Sequence, residues 1–206
     1  MNTDSIVIRP ANPSIDEGLK YSAYMNSASG GGFGKMFGKR LGEIVSNAYC
    51  QPNHDMSYET VLFAEADGEI VGMVAGYSAE AYRGFDKDVI DRVAGRSRLR
   101  VWLIFLLISR MMRFMHTFAD GDFYVAFLAV DETHRGKGIG TRLLGALEKR
   151  ARSSSATQLA LDVERKNKAA QSVYERYGFT TIDHWPKSRI MKPTILRMSK
   201  PIEHEE

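Results

Sequence analysis

From Val130 to Thr141 the chain reads Val-Asp-Glu-Thr-His-Arg-Gly-Lys-Gly-Ile-Gly-Thr, and these residue types at this spacing suit the binding of a phosphate. Before the segment, Phe123 to Val130 is β-rich and almost wholly apolar, the pattern of a strand covered on both faces. After it, Ile139, Leu143, Leu144, Leu147 and Ala151 recur at helical spacing, with Arg142, Glu148, Lys149 and Arg152 on the other side. A strand that turns through Gly136, Gly138 and Gly140 into a helix gathers unpaired backbone N–H groups at one point, where the helix dipole adds partial positive charge. Glycine lets the backbone approach an anion closely and adopt positive φ. Arg135 and Lys137 would add formal charge. The alternative on these residues alone is a tight turn without a ligand.

Spacing narrows the choice. A Walker loop requires lysine after its last glycine, but Gly140 is followed by Thr141 and Arg142. A dinucleotide fingerprint requires G-x-G-x-x-G, whereas here the glycines are spaced by two throughout. The pattern R-x-x-G-x-G of Arg135, Gly138 and Gly140 resembles the acyl-coenzyme A loop of the GNAT N-acetyltransferase family. Downstream, Leu159 to Val163 alternates like a strand, and a helix opening near Glu164 ends at Gly178-Phe179. The order Asn167, Ala170, Tyr174, Gly178-Phe179 resembles a second segment of that family, N-x-x-A-x-x-x-Y-x-x-x-G-F. The resemblance spans roughly Phe123 to Lys200 and is weaker before it.

This resemblance implies an α/β fold: a single-domain, mixed, mostly antiparallel sheet with a splayed parallel strand pair and flanking helices. Acetyl-CoA would sit in the wedge as acyl donor. The strand end at Leu128, Ala129 and Val130 would hold the pantetheine arm, with an N–H near Leu128 or Ala129 facing the thioester oxygen. Gly136, Gly138, Ile139, Gly140 and Thr141 would take the pyrophosphate beside Arg135 and Lys137. Asn167, on the same segment as Ala170, resembles the residue that bonds the pantetheine amides. Tyr174 resembles the general acid; a phenol stays protonated at neutral pH and can donate to a thiolate. Tyr177, three residues on, competes for that assignment and is the better candidate for simple packing. Histone-type members carry a basic glutamate six residues before the last apolar residue of the cradle strand, a position held here by Tyr124. Asp122 falls on the same strand face by the period-two rule. Glu164 could act through a water, and an amine could also lose its proton to a water chain.

The chain's 206 residues suit one domain with a sizeable core, and no Pro/Ser-rich linker divides it. A net charge of +3 with scattered basic residues gives no reason to expect nucleic acid as a partner. Cys50 is the only cysteine, which excludes an intrachain disulfide and favours a reducing, cytoplasmic setting; no signal-peptide pattern is visible at the N-terminus. The histidines His54, His116, His134, His184 and His204 are isolated, so no metal site is expected. Upstream, a first strand is expected over Ser5–Arg9 and a first helix over Ile15–Asn26, broken by Ser27–Gly32. A helical stripe runs from Phe33 through Phe37, Leu41 and Ile44 to Val45. Strands Thr60–Glu65 and Glu69–Tyr77 flank the hairpin turn Asp67-Gly68, and further strands follow Phe179 and span Thr194–Ser199.

Where family members often have a short connection, this chain carries an insertion at about 79–121, read as two helices near Asp86–Ala94 and Leu99–Phe118. Val101 to Ile108 is wholly apolar but far short of the ~20 residues that span a bilayer, so no transmembrane segment is expected. Trp102 and Leu106 share a helix side with Ser109 and Arg113, so that side would need a cover: core, a substrate lid, a surface anchor or, as favoured here, a second copy of the chain. Two functions remain open at this point. One is acetyl transfer to a primary amine of a small molecule or peptide; the other is non-catalytic acyl-CoA binding by the same fold. The acceptor is not named by the sequence.

Overall fold

The computed structural model describes residues 6–95, 98–188 and 190–203. Its strands are β1 (Val7–Pro10), β2 (Val61–Ala66), β3 (Glu69–Ser78), β4 (Asp122–Val130), β5 (Gln158–Glu164), β6 (Thr180–Trp185) and β7 (Ile195–Pro201). They form one mixed sheet in the order β1-β2-β3-β4-β5-β7-β6. Every neighbouring pair is antiparallel except β4 and β5. That parallel pair holds for Asp122, Phe123 and Tyr124 against Gln158, Leu159 and Ala160, and no further pairing is recorded beyond Tyr124 among the described residues. The two strands therefore splay.

A bulge on the other edge of β4 accompanies the splay. Ala75 faces Phe127 while Gly76 faces Val125, which leaves Ala126 as the extra residue. The backbones come close here: a Cβ on Gly76 would lie 2.7 Å from the Tyr124 carbonyl oxygen and 2.9 Å from Leu147 Cδ2. Only glycine fits this contact, so β3, the bulge and the helix behind them are mutually fixed.

One face of the sheet is covered by α7 (Ile139–Ser153), whose Ile139, Leu143, Leu144, Leu147 and Ala151 are buried as their spacing predicts. Tyr174 and Val173 of α8 (Lys168–Arg176) join that core. The other face is covered by α1 (Ile15–Ala28), α2 (Gly32–Phe37) and α3 (Leu41–Tyr49), around Tyr21, Met25, Ile44 and Phe63. The stripe from Phe33 to Val45, read as one helix, is two. Gly38 takes φ 62° and ψ −141°, and a short 3-10 turn over Gly38–Arg40 resets the axis.

Among the described residues, three helices rather than two lie between β3 and β4: α4 (Ala79–Gly84), α5 (Val89–Ala94) and α6 (Arg98–Met115). The extra one, α4, starts where the Ser78 side chain caps the Ala81 N–H, a local signal the apolar pattern does not show. The inner side of α6 packs Val101, Ile104, Phe105 and Ile108 into the core with α1 to α3. Its outer side leaves Trp102 and Leu106 each 57% exposed and Leu107 83% exposed. No described helix is long and apolar enough to cross a membrane.

These two environments separate in a stability measurement. Leu147, fully buried against β3, should lose about 2–5 kcal/mol as Leu147→Ala. Leu107→Ala should change the stability of the isolated monomer by less than ~0.5 kcal/mol. Urea titration of both variants checks the contrast; a large loss at Leu107 would mean that α6 is buried on its outer side as well.

Candidate active site

The splay of β4 from β5 opens a cavity of about 1830 Å³ that runs from the β4–α7 turn to the underside of α6. A single drug-sized ligand fills roughly 300–1,000 Å³, so this space suits a long ligand together with a second molecule.

At one end stands the phosphate turn. Gly136 and Gly138 have φ of 77° and 76°, which a β-carbon disfavours. Gly138 is the N-cap residue of α7 and no side chain caps that helix. The Arg142 N–H reaches the Gly138 carbonyl at 3.0 Å, whereas no hydrogen bond is recorded for the N–H groups of Ile139, Gly140 and Thr141 among the described residues. Three amides and the positive end of a 15-residue helix thus converge on the cavity. Arg135 lines it, with Nε donating to the Val130 carbonyl at 3.2 Å and Nη1 bridging to Glu132 at 3.3 Å. Lys137 is exposed and does not line the cavity, so the charge expected from that side chain is not directed there.

Leu128, Ala129 and Val130 line the adjoining stretch, on the strand edge that β5 has left unpaired. Across the wedge are Glu164, Asn167 and Ala170. The Asn167 side-chain oxygen caps α8 by accepting from the Ala170 N–H at 3.1 Å, which leaves its NH₂ group to face a ligand.

Tyr174 and Tyr177 are resolved by their surroundings. Tyr174 lines the cavity and is buried, and its hydroxyl has no recorded hydrogen bond among the described residues; burial pushes its pKa up to about 12. Tyr177 points away from the cavity and donates to Glu148 of α7 at 2.8 Å. Tyr174 is the free phenol.

The three candidate bases fare differently. Asp122 does not reach the cavity, which corrects its placement beside Tyr124. Its Oδ2 accepts from the Ala119 N–H at 2.7 Å and its Oδ1 from Gln158 at 2.6 Å, so it ties the β4 entry to β5. Glu164 lies at the cavity wall with its side chain 47% exposed, paired with Lys166 at 3.1 Å. Tyr124 lies inside, donating to Asp162 Oδ2 at 3.1 Å. Burial, with Asp162 beside it, holds the Tyr124 hydroxyl well above the ordinary phenol value, so it is a fixed donor and not a base.

Asp162 and Arg197 were not singled out from the sequence. Asp162 is wholly buried on β5 and accepts from Arg197 Nε at 3.0 Å and Nη2 at 2.7 Å. Arg197 of β7 also donates to the carbonyls of Phe114 at 2.7 Å, Met115 at 3.1 Å and Thr117 at 2.5 Å, so its charge caps the C-terminal end of α6. The available signal was an acid inside an apolar strand and an arginine in another; the antiparallel register that makes them cross-strand partners is set by the fold.

The far end is walled by Met36, Met56, Met111, Met112 and Met115 with Phe33, Phe105 and Phe127. Tyr77 and His116 complete it, and burial lowers His116 below its ordinary value, so the ring is neutral at neutral pH.

The family model described as the acetyltransferase (GNAT) family matches residues 35–179, well over half of the chain and inclusive of the phosphate turn and Tyr174. The chain belongs to the GNAT acetyltransferase family. Similarity to named relatives is local. An uncharacterized N-acetyltransferase, YobR of Bacillus subtilis, is 38% identical over 63 residues, 31% of this chain and 26% of that protein. N-alpha-acetyltransferase 30 of Schizosaccharomyces pombe is 41% identical over 56 residues, 27% of this chain and 37% of that protein. The matched segments thus span only about a third of either relative. Among solved structures, an acetyltransferase superposes with a TM-score of 0.66 at 22% identity, covering 96% of this chain and 100% of that one. An N-acetyltransferase from Staphylococcus aureus Mu50 does so with a TM-score of 0.62 at 16% identity, covering 94% and 99%. At these identities the agreement is one of GNAT fold.

Gly138→Val places a β-branched residue at φ 76° in the phosphate turn. Strain of this kind costs about 1–3 kcal/mol, and where binding requires the turn to keep this conformation, acetyl-CoA affinity should fall by roughly five- to a hundredfold by calorimetry. Unchanged affinity in a variant with a native circular dichroism spectrum would refute the assignment of the turn.

Proposed function

We propose that the chain transfers the acetyl group of acetyl-CoA directly to a primary amine of a small molecule or peptide. The observation that carries this reading is one cavity joining an amide-rich phosphate turn to the unbonded hydroxyl of Tyr174. The pyrophosphate lies against Ile139, Gly140 and Thr141, with Arg135 and Gly136 beside it. The pantetheine arm follows the free edge of β4 from Val130 to Leu128, bonded across the wedge by Asn167. The thioester then reaches the place where β4 and β5 part, between Tyr124 and Tyr174.

A thioester is already activated, so no covalent enzyme intermediate is needed. The neutral amine attacks the carbonyl carbon, the oxygen takes the negative charge, and an amide N–H of β4 near Leu128 or Ala129 stabilises it. As the C–S bond breaks, the Tyr174 hydroxyl gives its proton to the sulfur and is reprotonated from solvent. The burial that raises the phenol also raises the leaving thiol, because both are disfavoured as anions in the same dry site. Alignment of the two reactants in one wedge is worth up to several kcal/mol. Tyr124, its own proton committed to Asp162, turns a lone pair toward the cavity and can accept an N–H of the incoming amine. The proton of the amine leaves through water, with Glu164 at the cavity wall as a carboxylate that can receive it. Non-catalytic acyl-CoA binding would need no free phenol in the cavity, so Tyr174 favours transfer.

Tyr174→Phe should lower kcat roughly ten- to ten-thousand-fold and leave acetyl-CoA affinity nearly intact. Tyr177→Phe should keep its turnover and lose stability through Glu148. Full turnover in Tyr174→Phe would return that residue to packing.

The same reading includes a second copy of the chain over the outer side of α6, supported by the exposed Trp102, Leu103, Leu106 and Leu107. Sedimentation of the wild type should then show a dimer, and the double variant Trp102→Glu, Leu106→Glu a folded monomer. A monomeric wild type at micromolar concentration removes the second copy from the reading.

A further inference from the structure

Among the described residues, a carboxylate at the far end of the cavity makes no hydrogen bond to a basic side chain. Asp55, on the loop before β2, lines the cavity with its side chain 36% exposed, and its carboxylate has no recorded hydrogen bond among the described residues. The nearest recorded basic nitrogen is Nδ1 of His54, 3.9 Å away. That nitrogen accepts the Met56 N–H at 3.2 Å, and Nε2 lies 2.9 Å from the Ala48 carbonyl. With Nδ1 accepting from Met56 and Nε2 turned to the Ala48 carbonyl, His54 directs no N–H at the Asp55 carboxylate. Lys87, which feels the field of Asp55, lies 3.3 Å over the Tyr82 ring and donates to the Tyr82 carbonyl at 2.7 Å. His116, also within that field, is neutral.

Around this carboxylate the wall is apolar and adaptable: Met56, Tyr77, Met112 and Met115 line the same space. A lone carboxylate among methionines and aromatic rings suits an organic cation carried on an apolar body. It does not suit the nitrogen that reacts. A carboxylate stabilises the ammonium form, and an ammonium has no lone pair with which to attack a thioester. The topology separates the two positions as well. Asp55 lies on the side of Tyr77, a β3 residue whose register partner is Tyr124 of β4, whereas Tyr174 stands beyond β4 on the β5 side. Neighbouring strands are about 4.8 Å apart, so an acceptor touching Asp55 must cross the width of β4 to present its nitrogen to the thioester.

We infer that the acceptor carries two nitrogen groups joined by an apolar segment: a primary amine that is acetylated, and a second cationic group that Asp55 holds. This rests on the acetyl-transfer reading above and names the substrate class for it. The positive pole selects the substrate and fixes its register, and the methionine wall accommodates the spacer.

The test compares octylamine with 1,8-diaminooctane, which differ only in the second ammonium. Acetyl-CoA-dependent thiol release is followed for the wild type and Asp55→Asn, and binding of each amine to the CoA complex is measured by calorimetry. The wild type should favour the diamine in kcat/KM by roughly ten- to a hundredfold, as a charge-assisted contact implies. Asp55→Asn should bring the diamine down to the wild-type octylamine level and weaken diamine binding to the same degree. Equal use of both amines by the wild type, or an unchanged preference in Asp55→Asn, overturns the inference and leaves acetyl transfer standing. Thiol release absent with every amine, while diamine binding still depends on Asp55, supports the cation site and overturns the transfer reading instead.

Discussion

The structure turns on the parting of two parallel strands. A parallel pair normally continues bonding along its length, and an unbonded strand edge inside a protein is costly unless something else takes its polar groups. Here the pairing of β4 with β5 stops after Tyr124, and the open edge lines a cavity instead of a neighbouring strand. The bulge at Ala126 and the close approach at Gly76 fix β4 on its other side, so the strand bends away from β5 without detaching from β3. Everything assigned to the donor follows from that bend. In the proposed reading the free edge would give a thioester its hydrogen bonds, and the same divergence brings the end of β4, the start of α7 and the buried flank of α8 onto one space.

A buried ion pair keeps the narrow end of the wedge in shape. Asp162 projects from β5 toward Tyr124 of β4, and Arg197 of β7 holds it in a two-point contact. Stripped of Arg197, the buried carboxylate would be uncompensated, which is far costlier than never having the pair at all. The pair is therefore better understood as fixing geometry than as adding stability. It sets the orientation of the Tyr124 hydroxyl, and through three carbonyls it anchors the end of α6.

The glycine turn and the helix cap on which the proposed donor site rests were legible in the sequence because they are local signals. A turn through Gly136 and Gly138 into an apolar helical stripe needs no knowledge of distant residues, and neither does the N-cap at Asn167. The sequence already favoured Tyr174 over Tyr177 by its place in the motif; the fold adds the physical reason, since the packing of α8 against α7 brings Glu148 to the Tyr177 hydroxyl and leaves that of Tyr174 without a recorded partner among the described residues. Asp122 was misplaced for a related reason. Period two puts it on the face of Tyr124, but it stands at the strand entry, where the loop at Ala119 and the side chain of Gln158 take up both its oxygens. Asp162, Arg197 and Asp55 were missed because their significance lies in partners 35 or more residues away, or in the lack of a partner. No spacing rule reports either condition.

The long helix between β3 and β4 shows how one element can serve two surfaces. A helix in a soluble domain usually pairs an apolar stripe with a polar one, but α6 is apolar on both sides of its first half. Its inner residues Ile104, Phe105 and Ile108 are claimed by the core and the cavity together, which accounts for half of that pattern. Its last turn is held by Arg197, so the α6 wall of the cavity ends at the same guanidinium that orients Asp162 and Tyr124. That wall and the Asp162–Tyr124 pair are thus one mechanical unit: a shift of α6 that enlarges the far end must also disturb the hydrogen bonds of Arg197. On the proposed reading, specificity for the acceptor rests on α6, and that helix is fastened to the reacting centre by the Arg197 side chain.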